Sequence, residues 1–497
     1  MAVIGWKVVY DGKTPPPGQV VKPDERLSVG RTVGLGAQHV VAMFGATFVF
    51  PLIMGLNPNL AVLMSGVATI LFLLIVGGRV PSYLGTSASF VASVAAIRAQ
   101  GGNSKEVTGA ILVAGVVLLI IGVLVHFIGT GIVTKVLPPA VTGAVVMLIG
   151  FNLAPVVANT YWPQDQWVAL LTAAFVVTAA VIMRGFWSRI AIFLGLLVGY
   201  SISWVFDRVG RVHSVLPGGT VKVDHFRVNW DGVKAADWLG FPKHSTFTST
   251  GADKVIGWHS PSFTLAFILL VLPGVIALLA ENTGHVKAVA EMTGEDLDPY
   301  LGRAFIGDGV GTVLSSAVGG SPTTTYAENI GVMAATRVYS TAAYYVAALV
   351  AILLGFCPKF GAVVSATPGG VLGGITVVLY GMIGLLGAKI WIENRVDFAN
   401  PANLVPLAAG IIVGIGGVAL DFTKNFSIGG IALGTIIVLL GYHAVRPFLP
   451  SHLREEPQAT GRAYEGGAML STGNVETPAG EQSPFRVDEP GEGQHRE

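Results

Sequence analysis

Stretches long and apolar enough to cross a lipid bilayer recur along nearly the whole chain, and no other feature restricts its fold so strongly. Residues 61–78 read AVLMSGVATILFLLIVGG, and comparable runs occupy 111–133, 167–183, 190–206, 263–282, 404–420 and 428–445. About 20 apolar residues cross the hydrocarbon core as a helix. Inside that core every backbone N–H and C=O must find a partner within the protein, which leaves helices as the form such runs take. Charge agrees: only 12% of the 497 residues are Asp, Glu, Lys or Arg, where soluble domains carry roughly 25%. The expected class is an all-α polytopic membrane protein embedded in the lipid bilayer. Its 65 glycines fit helices that pack closely or break inside the membrane.

Few other classes survive the composition. Net charge is +1, so nothing points to nucleic acid as a partner. The single cysteine, Cys357, allows no intramolecular disulfide and no CxxC metal site. GDGVG (307–311) and GIGG (414–417) lie in apolar runs and lack the strand–loop–helix setting of a dinucleotide-binding loop. They read as close helix contacts. No nucleophile–base pair and no cluster of metal ligands stands out, so neither an enzyme nor a metal nor a bound cofactor is expected.

Residues 1–33 are polar and hold Lys7, Lys13, Lys22, Arg26 and Arg31, a cytoplasmic lead-in under the positive-inside tendency. They lack the apolar stretch of a signal peptide, so insertion is expected to begin with the first span, near Gly34. Residues 34–206 hold roughly seven segments, two of them too short or too polar for ordinary spans. Residues 207–260 form a hydrophilic insert with strand-like alternation, and 261–447 hold roughly seven further segments. The tail, 448–497, is too poor in apolar residues to pack and is expected to be disordered. Loops carrying Arg79, Arg184 and Arg189, Lys287 and Arg303, Arg337, and Lys389 and Arg395 then share the cytoplasmic side with both termini. Lys359 and Lys424 are lone exceptions, and the insert lies outside.

An odd number of crossings reverses direction, so the second half is inserted upside down relative to the first, as in many transporters. The halves also echo each other. Val76-Gly77-Gly78 is followed by Pro81, Tyr83, Gly85, Thr86 and Ser87; Val318-Gly319-Gly320 is followed by Pro322, three threonines and Tyr326.

These two polar stretches, PSYLGTSASF and SPTTTYAENI, read as extended chain leading into short helices near Ser87 and Glu328. Extended backbone cannot face lipid, so the two must pair with each other or line a wet cavity. Half-helices that start there would aim their N-terminal N–H groups at whatever lies between them. The bland alternative is a re-entrant structural loop. Three carboxylates fall inside predicted segments: Glu281, Asp308 and Glu328. A charge at mid-membrane costs from a few to more than about ten kcal/mol, so such residues usually face a cavity and work there. Glu281 and His285 are spaced i, i+4 on one helical face. Such a carboxylate suits proton coupling, since burial favours its neutral form. Asp308 lies near the expected start of its segment and reads as structural, favoured there by the helix dipole. His285 could equally sit at an interface. His39, beside Gln38, reads as a packing or helix-bridging residue.

At these residues the chain resembles a known family. Glu328-Asn329-x-Gly331 followed by Thr336 and Arg337 is similar to the signature of the nucleobase–ascorbate transporters, within which bacterial uracil permeases look nearest. AENTGH, AQHVVAMFGAT and PSYLGTSASF are similar to family segments, and the resemblance runs from about 34 to 445. It implies about fourteen transmembrane segments in two inverted seven-segment repeats, with short paired strands in segments 3 and 10. It implies a core domain of segments 1–4 and 8–11 and a gate domain of segments 5–7 and 12–14, often dimerising through the gates. It places substrate between the paired strands. Glu281 and Glu328 match the substrate-binding glutamates, Tyr326 and Ala327 the adjoining strand, and Ser87 and Ala88 the wall opposite. Glu281 and His285 match the proton-linked pair, the proton being the coupling ion.

Three positions depart from the uracil permeases: Ala88 stands where an aromatic residue is common, Ala327 where glycine is, and Asn282 where histidine is. The expected function is proton-coupled import of uracil across the cytoplasmic membrane by an elevator-like shift of core against gate. A purine, such as xanthine, or a broader set of pyrimidines is the alternative within the family. An anion exchanger or channel of the same fold is the alternative outside it, and would want a cation where Glu328 stands.

Overall fold

The computed structural model describes residues 5–450, apart from Pro17, Lys243 and 216–220, 249–253 and 424–425. The expectations for Lys424 and for nearly all of the 448–497 tail lie outside the described residues. The first half contributes α1 (Val29–Met54), α2 (Pro58–Ile75), α3 (Val91–Ala99), α4 (Ser104–Ile128), α5 (Pro139–Phe151), α6 (Gln166–Ile182) and α7 (Ala191–Val209). The second contributes α8 (Leu265–Thr293), α9 (Leu301–Ala317), α10 (Ala327–Thr336), α11 (Thr341–Gly355), α12 (Gly369–Glu393), α13 (Pro401–Ile415) and α14 (Gly430–Val445). Two short strands, β1 (Leu84–Thr86) and β2 (Thr323–Thr325), lead into α3 and α10.

The chain is a multi-pass membrane protein. Among the described residues, eight helices are long and apolar enough to cross a membrane, and Thr341–Gly355 with Pro358–Ser365, bent by 84°, makes a candidate ninth. The expected fourteen is not reached on that measure because α3, α6, α9, α10 and α13 have only 9, 17, 17, 10 and 15 residues. Exposed apolar side chains such as Ile120 on α4, Leu353 on α11 and Ile412 on α13 lie where lipid replaces water as the solvent.

Helix packing carries the mark of an inverted repeat. Shifting every label by half the set maps packed pairs onto packed pairs: α4–α9 onto α11–α2, α6–α7 onto α13–α14, α1–α11 onto α8–α4, and α6–α12 onto α13–α5. Helices α1–α4 and α8–α11 pack largely with one another, as do α5–α7 and α12–α14. The α9 run GDGVG is a close helix contact: a Cβ on Gly309 would lie 2.7 Å from the Leu119 nitrogen on α4.

The lead-in segment lies on one face, where Val21 N–H donates to Arg337 O (2.9 Å) and Tyr339 N–H to Val21 O (2.8 Å). On the opposite face sits the insert. Its strand-like alternation becomes two antiparallel hairpins, Val212–Val215 with Lys222–His225 and His244–Thr248 with Lys254–Ile256.

Candidate functional site

The two polar stretches pair with each other in the middle of the fold. Leu84 lies opposite Thr325, Gly85 opposite Thr324 and Thr86 opposite Thr323, antiparallel. Ser87 N–H to Pro322 O (2.9 Å) and Tyr326 N–H to Tyr83 O (3.1 Å) extend the ladder. All six strand residues are buried, so the hydrogen bonds two strands leave unmade must be found nearby. Threonines supply them symmetrically. Thr69 on α2 accepts from Leu84 N–H at 2.9 Å, and Thr312 on α9 accepts from Thr323 N–H at 3.1 Å.

Tyr326 fastens the crossing. Its hydroxyl donates to Thr86 O (2.8 Å) and accepts from Thr47 Oγ1 (3.1 Å). Its ring lies so close to β1 that a Cβ on Gly85 would come within 2.5 Å of it. From this crossing α10 starts at Ala327, and α3 starts after the single turn Ala88–Phe90. Both helix N-termini therefore point their free N–H groups toward the centre of the fold.

A cavity of about 180 Å³ lies there. Ala88 and Ser89 line it from segment 3, Tyr326, Ala327 and Glu328 from segment 10, and Glu281 and His285 from α8. Ile149 on α5 with Leu379, Ile383 and Leu386 on α12 form an apolar wall. The lining continues to Ala180, Ser188 and Ala191 at the α6–α7 connection, on the face that carries the lead-in segment. Toward the insert it stops at Phe50, Ile149 and Leu379. An apolar cleft with a few convergent polar groups is the usual form of a small-molecule site.

Most residues singled out in the sequence meet here. Glu281, Glu328, His285, Tyr326, Ala327 and Ala88 all border the one cavity. Ser87 does not. It is fully buried, and its hydroxyl accepts from Ser89 N–H at 3.3 Å, capping the turn that opens α3. Its neighbour Ser89 takes the lining position and donates from Oγ to Glu281 Oε2 at 3.2 Å. Nothing local in the sequence singles out this role for Ser89, whose partner lies 192 residues away. The one available signal was a hydroxyl directly after Ala88 at the tip of a half-helix.

Behind the cavity runs a directed hydrogen-bond chain. Thr325 Oγ1 donates to Asn282 Oδ1 at 2.6 Å. Its single proton is then used, so His285 Nδ1, at 2.8 Å, must be the donor to Thr325. Asn282 Nδ2 in turn donates to Asp308 Oδ2. Asp308 corrects an expectation. It lies in the middle of α9, fully buried, and not near the helix start. The turn Asp298–Tyr300 begins the helix early, which carries Asp308 about two turns inward, beyond reach of a helix-dipole role. Asn329, next to Glu328, faces away from the cavity and donates from Nδ2 to His39 O at 3.0 Å. His39 stacks on Tyr344, with ring centroids 4.4 Å apart, and so bridges α1, α10 and α11.

Comparison with known proteins agrees with this geometry. Residues 30–422 match the family model described as "Permease family". Among curated proteins, the chain is 43% identical to the "Putative pyrimidine permease RutG" of Escherichia coli (strain K12), over 88% of this chain and 95% of that protein. It is 34% identical to the "Uracil permease" of Bacillus subtilis (strain 168), over 82% of this chain and 90% of that protein. Among solved structures, murine Slc26a9, an anion transporter in an inward-facing state, superposes with a TM-score of 0.56 at 12% identity, over 84% of this chain and 68% of that one. A second SLC26A9 structure gives the same TM-score, and there this chain spans 65% of its length. At that identity the likeness shows the shared inverted-repeat fold alone.

Proposed function

This chain belongs to the Permease family, the nucleobase–ascorbate transporters, and on that premise we propose that it imports uracil together with a proton. One observation carries the reading: two carboxylates, Glu281 and Glu328, border a single cavity where two half-helices meet inside the membrane. Relatives of this chain are permeases, so its work is transport and not catalysis. Uracil offers ring N–H donors between carbonyl acceptors on a flat neutral ring. Glu328, ionised at the tip of α10, accepts from ring N–H groups. Glu281, protonated, donates to a carbonyl, so base and proton bind together. Ser89 suits both states of Glu281, since its hydroxyl can donate to a carboxylate or to the carbonyl oxygen of a carboxylic acid. A base lacking the matching edge leaves these buried groups unpaired, and well-built sites reject such analogues strongly.

The packing supports the rest of the mechanism. Core helices α1–α4 and α8–α11 carry the polar site, and gate helices α5–α7 and α12–α14 supply its apolar wall. A core sliding along a smooth gate gives the elevator motion. The protein works in the cytoplasmic membrane with both termini inside, and two copies associate through their gates. In this orientation the cavity reaches toward the cytoplasm. The fold is shared with an anion transporter, but two carboxylates at the cavity disfavour an anion and favour a ligand with N–H groups.

Competition of labelled uracil uptake by unlabelled uracil, thymine, xanthine and bicarbonate tests the reading. Uracil should compete at the lowest concentration. Competition by bicarbonate alone would overturn it, and a lead for xanthine would move the substrate to the purines.

A further inference from the structure

On the insert face two connections join core to gate, the insert between α7 and α8 and the bent link between α11 and α12. The structure fastens the insert to the gate at one end and to the bent link at the other. The first part of the insert is held to the gate. Arg227 Nε donates to Asp165 Oδ2 at 2.6 Å, and its Nη1 to Asp207 Oδ1 at 3.3 Å and to Gly210 O at 3.1 Å. The Arg227 and Asp165 side chains are only 13% and 6% exposed. Trp230 then lies against Tyr200 of α7, with centroids 5.7 Å apart.

From the next residue the insert belongs to the core side. The helical turn Asp231–Ala235 packs on Pro358–Ser365. Lys359 N–H donates to Asp237 O at 2.9 Å, and Gly240 N–H donates to Phe356 O, also at 2.9 Å. The ammonium of Lys359 sits 5.1 Å from the Trp238 ring. Pro358–Ser365 is itself seated on the core, where Asn59 Nδ2 donates to Cys357 O at 3.1 Å and Phe360 packs against Phe48.

Two consequences follow from this arrangement. The two links are fastened to each other. The gate-held and core-held parts of the insert adjoin at Trp230–Asp231, with no slack between them. The cavity lining, for its part, ends at Phe50, Ile149 and Leu379 toward this face and continues to Ala180, Ser188 and Ala191 toward the other. A rigid tie without slack cannot follow a core that moves by several ångströms relative to the gate.

We infer that the joined links form a clasp that holds the insert face shut, and that the contact between 237–240 and 356–359 must part each time that face opens. This rests on the transport reading above. It assigns the insert a role in alternating access, in which the clasp sets the population of the state open on its own side.

The test is a reversible lock. In a Cys357→Ser background, Asp237→Cys with Lys359→Cys would be joined by a short, cleavable thiol cross-linker. Uracil uptake should fall about ten-fold or more on cross-linking and return on cleavage, as expected when gating is blocked. Uptake by the cross-linked protein at the unlinked rate would overturn the clasp, and so would failure of the two cysteines to cross-link. The converse variant is Gly240→Pro, which removes the N–H that Phe356 O accepts. It should speed labelling of Phe50→Cys by a membrane-impermeant thiol reagent applied from the insert face, and unchanged labelling would count against the clasp. Absence of uracil uptake by the unmodified protein would remove the transport reading, which separates that failure from a failure of the clasp.

Discussion

A carboxylate halfway through a bilayer needs partners, and Glu281 finds one in the Ser89 hydroxyl at the tip of segment 3. With uracil bound Glu281 is neutral in the proposed mechanism, and a hydrogen bond between neutral groups contributes about 0.5–1.5 kcal/mol. Ser89→Ala should therefore raise the KM for uracil by roughly three- to ten-fold, with unchanged protein in the membrane; a KM within two-fold or so of the parent would mean that the hydroxyl does not orient Glu281. Among the described residues no side chain is shown hydrogen-bonded to Glu328, which on the transport reading depends on the N-terminus of α10 and on the ligand. Glu328→Gln keeps the shape but cannot carry the charge that ring N–H groups meet, so uptake should be abolished while the protein still reaches the membrane. Parental uptake by this variant would remove Glu328 from the site. Ala88 borders the cavity with a single methyl group, leaving room that an aromatic ring would fill. Ala88→Phe should change the order in which uracil, thymine and xanthine compete, and an identical order would place Ala88 outside the binding surface. Both glutamates and Ala88 were legible in the sequence, because an intramembrane acid or a motif departure is visible locally. Ser89 and the Asp308–Asn282–Thr325–His285 chain were not, because each link joins residues on different elements.

At the scale of elements, the antiparallel pairing of β1 with β2 decides where everything else points. Three residues per strand cannot form a stable sheet alone. The pair persists because α2 and α9 each supply a threonine to it and because Tyr326 bolts across it. Gly85 permits this contact by having no side chain. Gly85→Ala would place a Cβ 2.5 Å from the Tyr326 ring and 2.6 Å from Thr47 Oγ1, a clash of the kind that costs about 1–3 kcal/mol in a packed core. The variant should melt at a lower temperature in detergent and lose uracil uptake, whereas an unchanged melting temperature would show that Tyr326 can swing clear. The sequence announced two extended stretches through proline and the clustered threonines, but left open whether they pair or merely line a cavity. Register is a tertiary property: it follows from how α2 and α9 pack together, which no local pattern of residues records.

For the whole molecule, proton coupling has a simple expression. If base and proton enter together, external protons are a co-substrate, so uracil uptake should accelerate as external pH falls from mildly alkaline to mildly acid. A flat profile across that range would argue for uptake without a proton. Sequence alone determined that the chain lives in a membrane, that its two halves run in opposite directions, and that acids and extended, half-helix stretches interrupt its apolar segments. These follow from run length, the number of crossings and the high energy of a charge in lipid, all readable along one dimension. Tertiary structure alone decided that Ser89 and not Ser87 meets the cavity, that Asp308 is deeply buried, and that the insert is tied to the neighbouring link. The physical reason is that each of these depends on which helix lies against which, and packing brings together residues whose separation along the chain carries no signal.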